Sequence, residues 1–559
     1  MTNFRMPSPE WSNIKPATMA SEPTHTEDEG GATGFRSMSL WFDVPLDHRK
    51  PLIKTDTLTL HAKLVYAHDA PSDAIGDSYL DDWVKEWSRA NWKRILRRRP
   101  FMLYLCGGPG DGNNHQRIPE LNRFALEQGY QVLYVDYRGT GRSRPFVDDA
   151  HLSVIGASAA DQASYLSFFR QDNITRDLEA IRLCLSQIIS ADSCTGKRVK
   201  WTILGQSFGG WIALTYLSFL PTALAAVYLT AGLAPLGNGP HEVYKRLYRR
   251  VAECNEAYYQ AYPGDVEMVR RVVVHLRSHE YSYRVEGCKG RHKLTAQTFM
   301  TLGRCFGAAT ASRAVGARPP AFERVHALIG CMVGDIGGEG GHLSDKTVQK
   351  YAALQSQSKK SGQSSQGFRL HERPLYGVLH EAIYCHSPGA VSGWGAEEVG
   401  RAYGRGEFSW LEPTGSGWEH ESGGSGRVFF SGEMIYPFMF STSGSAVGAF
   451  KGVAGVLAAK DDWPALYDEG QLAKNQVPVR ALAYREDMYV DFDLSLSTAR
   501  KVRNCVLLEG KAGWGHGAIK DGTKTVEVLR LLFGLRTTAK PESTSIALDS
   551  GVEDIDYPC

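Results

Sequence analysis

The chain has 559 residues, of which 43% are hydrophobic and 22% charged, and its formal net charge is +2. This composition is typical of a soluble globular protein with one large domain or a few smaller ones. A charge so close to zero creates no global field that would recruit nucleic acid or an anionic membrane surface, so we expect neither as a partner.

The two ends of the chain have the composition of disordered segments. Residues 1–34 and 537–559 are rich in small and polar side chains, so we expect both to be poorly ordered. The first residues contain no apolar run of signal-peptide length, and the ten cysteines are spread out without close pairs. These features predict a cytoplasmic protein without a disulfide framework, a metal site or a cofactor.

Between the two tails, short apolar runs alternate with segments of helical periodicity. Helical periodicity covers residues 174–190, 208–220 and 523–534. The apolar runs predict strands at Phe101–Cys106, Gln131–Asp136, Lys200–Leu204, Ala225–Thr230, Val479–Tyr484 and Asn504–Leu508. This alternation predicts an α/β protein with a mostly parallel sheet flanked by helices.

The alternation stops in the middle of the chain. From about residue 236 to 460 the pattern is mainly helical, and residues 354–366 and 413–426 have loop composition. We therefore predict a core whose first part spans residues 35–235 and whose last part spans 461–536. A large, mainly helical cap is expected between them, over the sheet.

A possible catalytic serine lies in Gly205–Gly209, which is the only Gly-x-Ser-x-Gly sequence in the chain. It follows the strand-like run Trp201–Leu204 and opens the helix-like run Trp211–Leu220. A strand, a tight turn and a helix in this order are the context of a nucleophile elbow. The helix N-terminus also favours negative charge at the reacting centre. We therefore predict that Ser207 is a nucleophile.

A catalytic serine needs a base, and His516 is the only histidine after His420. It lies in a glycine-rich segment just after the last predicted strand, so we predict that it is the general base.

The acid that orients this base is expected after the preceding strand. Glu486, Asp487 and Asp491 all follow Val479–Tyr484. Asp487 is preferred because it lies where the chain must turn, although the residues alone leave Glu486 and Asp491 open. The order Ser, acid, His is that of α/β-hydrolases rather than of chymotrypsin or subtilisin.

The oxyanion formed by such a serine needs two backbone donors. One is expected to be the N–H of Phe208, directly after the nucleophile. The other should come from Gly107-Gly108-Pro109-Gly110, the turn after an early strand, where glycines let the backbone approach a substrate. We predict the Gly108 N–H, with Gly107 as the alternative.

Several segments together resemble a known family. Cys-Gly-Gly-Pro-Gly at 106–110, Asp-Tyr-Arg-Gly-Thr-Gly-Arg-Ser at 136–143 and the elbow at 205–210 resemble the proline iminopeptidases (prolyl aminopeptidases) of the α/β-hydrolase superfamily. Residues 42–48 are similar to the first strand of the long fungal and actinobacterial members. Residues 230–235 are similar to the segment that leads from their sheet into the cap. The turn at 486–489 resembles their acid turn, which favours Asp487. The resemblance covers about residues 38–535.

This resemblance implies an α/β-hydrolase fold and a serine aminopeptidase that releases an N-terminal residue, expected to be proline, from peptides. Family members hold the free amine of the substrate with cap glutamates, which implies Glu433 and Glu381. Each of the two lies in a Glu-x-Ile-Tyr sequence, in which x is Met434 or Ala382. Two departures affect the expected specificity: Cys106 replaces the usual histidine, and Phe208 replaces a common tryptophan.

Other functions remain open from the residues. An esterase or amidase acting on a small molecule would use the same triad, since a fold does not determine a substrate. His380 and His386 are six residues apart, whereas a zincin helix needs histidines four apart. The segment 138–143 lacks a phosphate-binding motif, so we expect Asp136 and Arg138 to hold the loop beside the nucleophile.

Overall fold

A ten-stranded sheet organises the protein. The computed structural model describes residues 9–26, 35–50, 56–67, 91–145, 149–191, 198–285, 290–308, 318–356, 370, 373–404, 406–412, 426–441 and 446–535. The strands are β1 (Thr18–Met19), β2 (Thr24–Thr26), β3 (Phe35–Pro45), β4 (Thr57–Ala67), β5 (Phe101–Leu105), β6 (Gln131–Val135), β7 (Trp201–Gln206), β8 (Leu224–Thr230), β9 (Tyr281–Tyr283), β10 (His292–Leu294), β11 (Val479–Ala483) and β12 (Cys505–Glu509).

The order in the sheet is β1-β3-β4-β6-β5-β7-β8-β11-β12, and β2 also pairs with β3. Neighbours from β6 to β12 are parallel, whereas β1 to β4 are joined by antiparallel pairs. β9 and β10 form a separate antiparallel hairpin. Strands β5, β6 and β7 are buried along their whole length, because helices cover both faces of a parallel sheet. The predicted α/β-hydrolase architecture is confirmed.

The helices fall into two groups. Those that flank the sheet or lie next to it in sequence are Pro9–Ser12, Pro119–Glu127, Asp149–Ile155, Ala159–Ser167, Gln171–Ser190, Phe208–Phe219, Glu469–Leu472, Phe492–Lys501 and Thr525–Leu532. The segment inserted between β8 and β11 contains Pro240–Ala261, Asp265–Ser278, Ala296–Met300, Arg304–Ala308, Pro320–Ile336, Asp345–Ser356, Pro374–Leu379, Gly395–Ala402, Ala446–Ala449 and Lys451–Ala458.

The buried Arg170 connects the inserted segment to the sheet. Its guanidinium donates to the carbonyl of Cys385 at 2.9 Å and to that of Pro464 at 2.7 Å. The same group lies 4.5 Å from the centre of the Trp463 ring. A buried cation that binds two distant segments of backbone fixes the inserted segment beside the helix Gln171–Ser190.

The expected disorder at the N-terminus is wrong for residues 9–26. Trp11 stacks on Phe219 with ring centres 4.4 Å apart, and the Arg176 guanidinium lies 4.0 Å from the centre of the Trp11 ring. Strand β2 pairs with β3. One buried aromatic anchor therefore outweighs the polar composition around it.

The predicted loop at 354–366 is wrong for residues 354–356, which end the helix Asp345–Ser356. The remaining expectations of disorder or loop structure concern other parts of the chain. Residues 1–8, 27–34, 357–366, 413–425 and 537–559 lie outside the described residues.

The topology gathers four loops at one edge of the sheet. β5, β7, β11 and β12 run in the same direction, so their carboxyl ends lie at the same edge. The four loops that follow them carry Gly107, Ser207, Asp487 and His516. Open α/β sheets bind their ligands at this edge.

Candidate active site

The turn around Ser207 is a strained strand-to-helix elbow. Ser207 has φ 55° and ψ −125°, a conformation that costs energy for a residue with a side chain. A Cβ added to Gly205 would lie 2.9 Å from the carbonyl oxygen of Gly209, and one at Gly209 would overlap the carbonyl of Leu105. The glycines are therefore required by close backbone packing, and the turn directs the hydroxyl away from the sheet.

The structure brings Ser207, His516 and Asp487 together. Ser207 Oγ lies 2.9 Å from His516 Nε2, and His516 Nδ1 lies 2.8 Å from Asp487 Oδ2. The residue His516 is 5% exposed and Asp487 is 1% exposed. A nucleophile bonded to a base, and a base bonded to a buried acid, form the arrangement needed to activate a hydroxyl.

Two backbone groups hold the Asp487 carboxylate in place. Its Oδ1 accepts hydrogen bonds from the N–H of Tyr489 at 2.7 Å and of Val490 at 3.0 Å, which leaves Oδ2 for His516. Asp491 has a different role: it caps the helix Phe492–Lys501 and contacts Arg250 at 3.1 Å. Of the acids left open by the sequence, the structure joins Asp487 to the histidine.

Of the predicted oxyanion donors, Gly107 lies beside the nucleophile and Phe208 directly follows it in the chain. A Cβ added to Gly107 would be 3.1 Å from Ser207 Cβ and 3.5 Å from Ser207 Oγ. In the described part of the chain, the N–H groups of Gly107, Gly108 and Phe208 make no hydrogen bond to another protein group. Such groups are available to a negative charge that develops next to the serine.

Cys106, directly before this glycine turn, supports the turn as a thiol. Its Sγ donates to the carbonyl of Asp111 at 3.7 Å. Burial raises the pKa of Cys106 to about 12, so it stays protonated and is no competing nucleophile.

Asp136 and Arg138 hold the neighbouring loop, as the sequence predicts. Asp136 Oδ1 accepts from the N–H of Asn113 at 2.7 Å, and its Oδ2 accepts from that of Arg142 at 3.0 Å. Arg138 is 1% exposed and binds Asp177 with two nitrogens, at 2.7 and 2.5 Å. All the charge of this arginine is committed inside the protein, which agrees with a structural role.

Glu433 lies in a polar cluster supplied by the inserted segment. Its Oε1 accepts from Arg304 Nη2 at 2.9 Å and from the Tyr376 hydroxyl at 2.6 Å. Burial alone would raise the pKa of Glu433, but the Arg304 guanidinium, assisted by His380 and His516, outweighs it and lowers the pKa. Glu433 is therefore held as a carboxylate within electrostatic reach of His516.

Glu381 is in a different environment. It is 5% exposed, and its Oε1 accepts from the N–H of Ala396 at 3.0 Å, at the start of the helix Gly395–Ala402. Burial raises the pKa of Glu381 to about 7, although the Ala396 N–H opposes the shift. The structure thus assigns Glu381 to a helix N-terminus, and its contacts do not include Glu433 or the triad.

The raised pKa of Glu381 predicts a pH-dependent stability. The folded state keeps a proton that the unfolded chain releases near pH 4.5, so the free energy of unfolding should fall as pH rises from about 4.5 to about 7. The expected contribution is on the order of 3 kcal/mol. Glu381→Gln should remove this slope, which urea unfolding of both proteins at pH 5 and pH 8 measures. Parallel changes in the two proteins would contradict the prediction, and the exposed Glu398→Gln is the matched control.

Three site residues were missed by the sequence reasoning. Arg304 and Tyr376 bind Glu433, and the Tyr489 ring packs edge-on against His516 with centres 4.8 Å apart. Tyr489 lies in the acid turn that the sequence did single out. Arg304 and Tyr376 carry no local signal, because their role depends on which segments meet in space.

In the ranges that the structure describes, no three His, Cys, Asp or Glu side chains are grouped so that they could hold a metal ion. None of the described helices combines the length and the apolar character needed to cross a bilayer.

Comparisons with known proteins agree with this geometry. Residues 100–271 match the sequence family described as alpha/beta hydrolase fold. The chain is 35% identical over 472 residues to the proline iminopeptidase of Aeromonas sobria, covering 83% of this chain and 88% of that protein. It is 32% identical over 528 residues to proline iminopeptidase aneH of Aspergillus aculeatus, covering 94% and 98%. The second similarity extends over nearly the whole length of both chains, including the inserted segment.

Proposed function

This chain belongs to the proline iminopeptidase family of α/β-hydrolases. We therefore propose that it releases an N-terminal residue, which we take to be proline, from peptides through an acyl-enzyme on Ser207. The chain is a serine hydrolase, and His516 and Asp487 are the proposed base and acid. The observation that carries the proposal is the continuous set of contacts from Ser207 Oγ through His516 to Asp487, at 2.9 and 2.8 Å.

The proposed reaction follows from these contacts. His516 takes the proton of Ser207 as the hydroxyl attacks the carbonyl carbon of the N-terminal residue. The N–H groups of Phe208 and Gly108 stabilise the oxyanion, with Gly107 as the alternative donor. His516 then protonates the departing amine, and a water molecule hydrolyses the acyl-enzyme by the same steps.

Glu433 is the proposed anchor for the free amine of the substrate. Its Oε1 is occupied by Arg304 and Tyr376, whereas its Oε2 makes no hydrogen bond within the described part of the chain. A secondary ammonium at Oε2 would gain a charge-assisted hydrogen bond, and a blocked N-terminus would not. Glu381, bound to the start of another helix, is left out of this anchor.

Replacing Glu433 with glutamine tests this anchor. Glutamine keeps an acceptor for Arg304 and Tyr376 but loses the negative charge. The KM for a prolyl-naphthylamide should rise about 10- to 100-fold, as expected for a lost hydrogen bond to a charged group. The KM for a p-nitrophenyl ester should stay within about twofold. Equal losses on both substrates would remove Glu433 from the amine site, and Glu398→Gln is again the control.

A second candidate function is an esterase or amidase acting on a small molecule. The Arg304–Glu433 pair favours it, since a guanidinium 2.9 Å from the carboxylate neutralises the charge that an ammonium would seek. A panel of aminoacyl-naphthylamides beside p-nitrophenyl esters separates the two functions. Dominant turnover of the prolyl substrate supports the aminopeptidase, and turnover of esters alone supports the alternative.

We also propose that residues 236–460 act as a cap that shapes the substrate site between the core segments 35–235 and 461–536. Supporting this, the inserted segment supplies Arg304, Tyr376 and Glu433. A cytoplasmic location is part of the proposal and is supported by the seven cysteines in the described ranges, none of which forms a disulfide there.

A further inference from the structure

Tyr489 contacts the proposed acid, the proposed base and the inserted segment. Its backbone N–H donates to the carboxylate of Asp487, and its ring packs edge-on against the imidazole of His516. Its hydroxyl donates to the backbone carbonyl of Arg304 in the inserted segment. Tyr489 is 5% exposed, so these contacts are shielded from solvent.

The hydroxyl contact leads directly to the amine anchor. The Arg304 side chain donates to Glu433 Oε1 at 2.9 Å, and its guanidinium lies 4.7 Å from the centre of the Tyr376 ring. Tyr376 in turn donates to the same Glu433 oxygen at 2.6 Å. Arg304 therefore joins Tyr489, through its carbonyl, to Glu433, through its guanidinium.

We propose that Tyr489 is a positioning residue that sets the distance between the amine anchor and the catalytic triad, through the hydrogen bond from its hydroxyl to the Arg304 carbonyl. Substrates with a free amine need both ends of the site at the correct separation, because misplacement of a bound substrate lowers the rate of attack. A simple ester uses the triad alone. The inference rests on the proposed aminopeptidase function.

Gly307 provides a second, steric way to disturb the same side chain. A Cβ at this position would lie 2.7 Å from Tyr489 Cε1 and 2.9 Å from Met488 Cβ. An alanine would therefore push the ring, which also packs against His516. Loss of the hydroxyl and displacement of the ring should have different consequences, since the first affects the anchor and the second also affects the base.

The test compares Tyr489→Phe, Gly307→Ala and Glu433→Gln, with kcat/KM measured on a prolyl-naphthylamide and on a p-nitrophenyl ester. Tyr489→Phe should lower the prolyl value about tenfold and leave the ester value within about twofold. In the Glu433→Gln background the same change should have little further effect, because the anchor is already lost. Gly307→Ala should lower both values about 10- to 100-fold. Tyr134→Phe, which loses a buried bond to Asn122 in the core, should change neither.

Four results would overturn the inference. An equal loss on both substrates in Tyr489→Phe would make Tyr489 a support of the triad only. No loss on either substrate, or full additivity with Glu433→Gln, would show that the hydroxyl does not act through the anchor. A wild-type enzyme that turns over esters alone would contradict the proposed function, and this failure is visible before any variant is compared.

Discussion

Replacing Ser207 with alanine is expected to lower kcat by about 10⁶-fold on every substrate, because no other group can form the acyl-enzyme. The fold should tolerate the change. The variant loses the contact between Ser207 Oγ and His516 Nε2 at 2.9 Å, and one hydrogen bond contributes about 1 kcal/mol. The midpoint of thermal unfolding should therefore move by only a few degrees.

The measurement combines turnover with labelling by an alkyl fluorophosphonate, which reacts with an activated serine. Ser218→Ala is the matched control. Ser218 lies in the helix Phe208–Phe219, which begins directly after Ser207, and its hydroxyl donates to the Leu214 carbonyl at 2.8 Å. Wild type and Ser218→Ala should be labelled, whereas Ser207→Ala should not. Labelling or near-normal turnover of the folded Ser207→Ala protein would place the nucleophile elsewhere.

Replacing Asp487 with asparagine is expected to lower kcat about 10⁴-fold. The backbone N–H groups of Tyr489 and Val490 both donate to Oδ1, so the asparagine oxygen must take that position. The amide NH₂ then faces His516 Nδ1, which must accept a hydrogen bond instead of donating one. The ring proton is moved to Nε2, where the imidazole can no longer take the proton of Ser207.

The comparison that tests this assignment uses the other two acids of the same turn. Glu486→Gln should stay within about threefold of wild-type kcat, since the structure joins Asp487 to the histidine. Asp491→Asn should mainly lower stability, because Asp491 caps a helix and contacts Arg250. A large loss of kcat in Glu486→Gln together with a mild effect of Asp487→Asn would reverse the assignment.

The candidate catalytic residues could be predicted from the sequence because each has a local signature. The elbow glycines around Ser207 are required by backbone packing that any sequence with this turn must satisfy. His516 is the only histidine after His420, and the apolar run before it is recognisable as a strand. The chain order of the parallel strands then places the loops after them at one edge of the sheet.

The different environments of Glu381 and Glu433 could not be predicted from the sequence. Glu381 and Glu433 lie in similar short sequences, yet one binds a helix N-terminus and the other binds Arg304 and Tyr376. Their surroundings are set by segments distant in the chain, and burial and partners decide the chemistry of a carboxylate.

The sequence by itself predicted the parallel strands of the sheet, the elbow at Ser207 and His516 as the candidate base, because local packing rules and chain order suffice for them. Only the tertiary structure joined the preferred Asp487 to His516, gave the two glutamates different partners, and brought Tyr489 against Arg304. These choices depend on contacts between segments up to about two hundred residues apart, and no local pattern encodes such a contact.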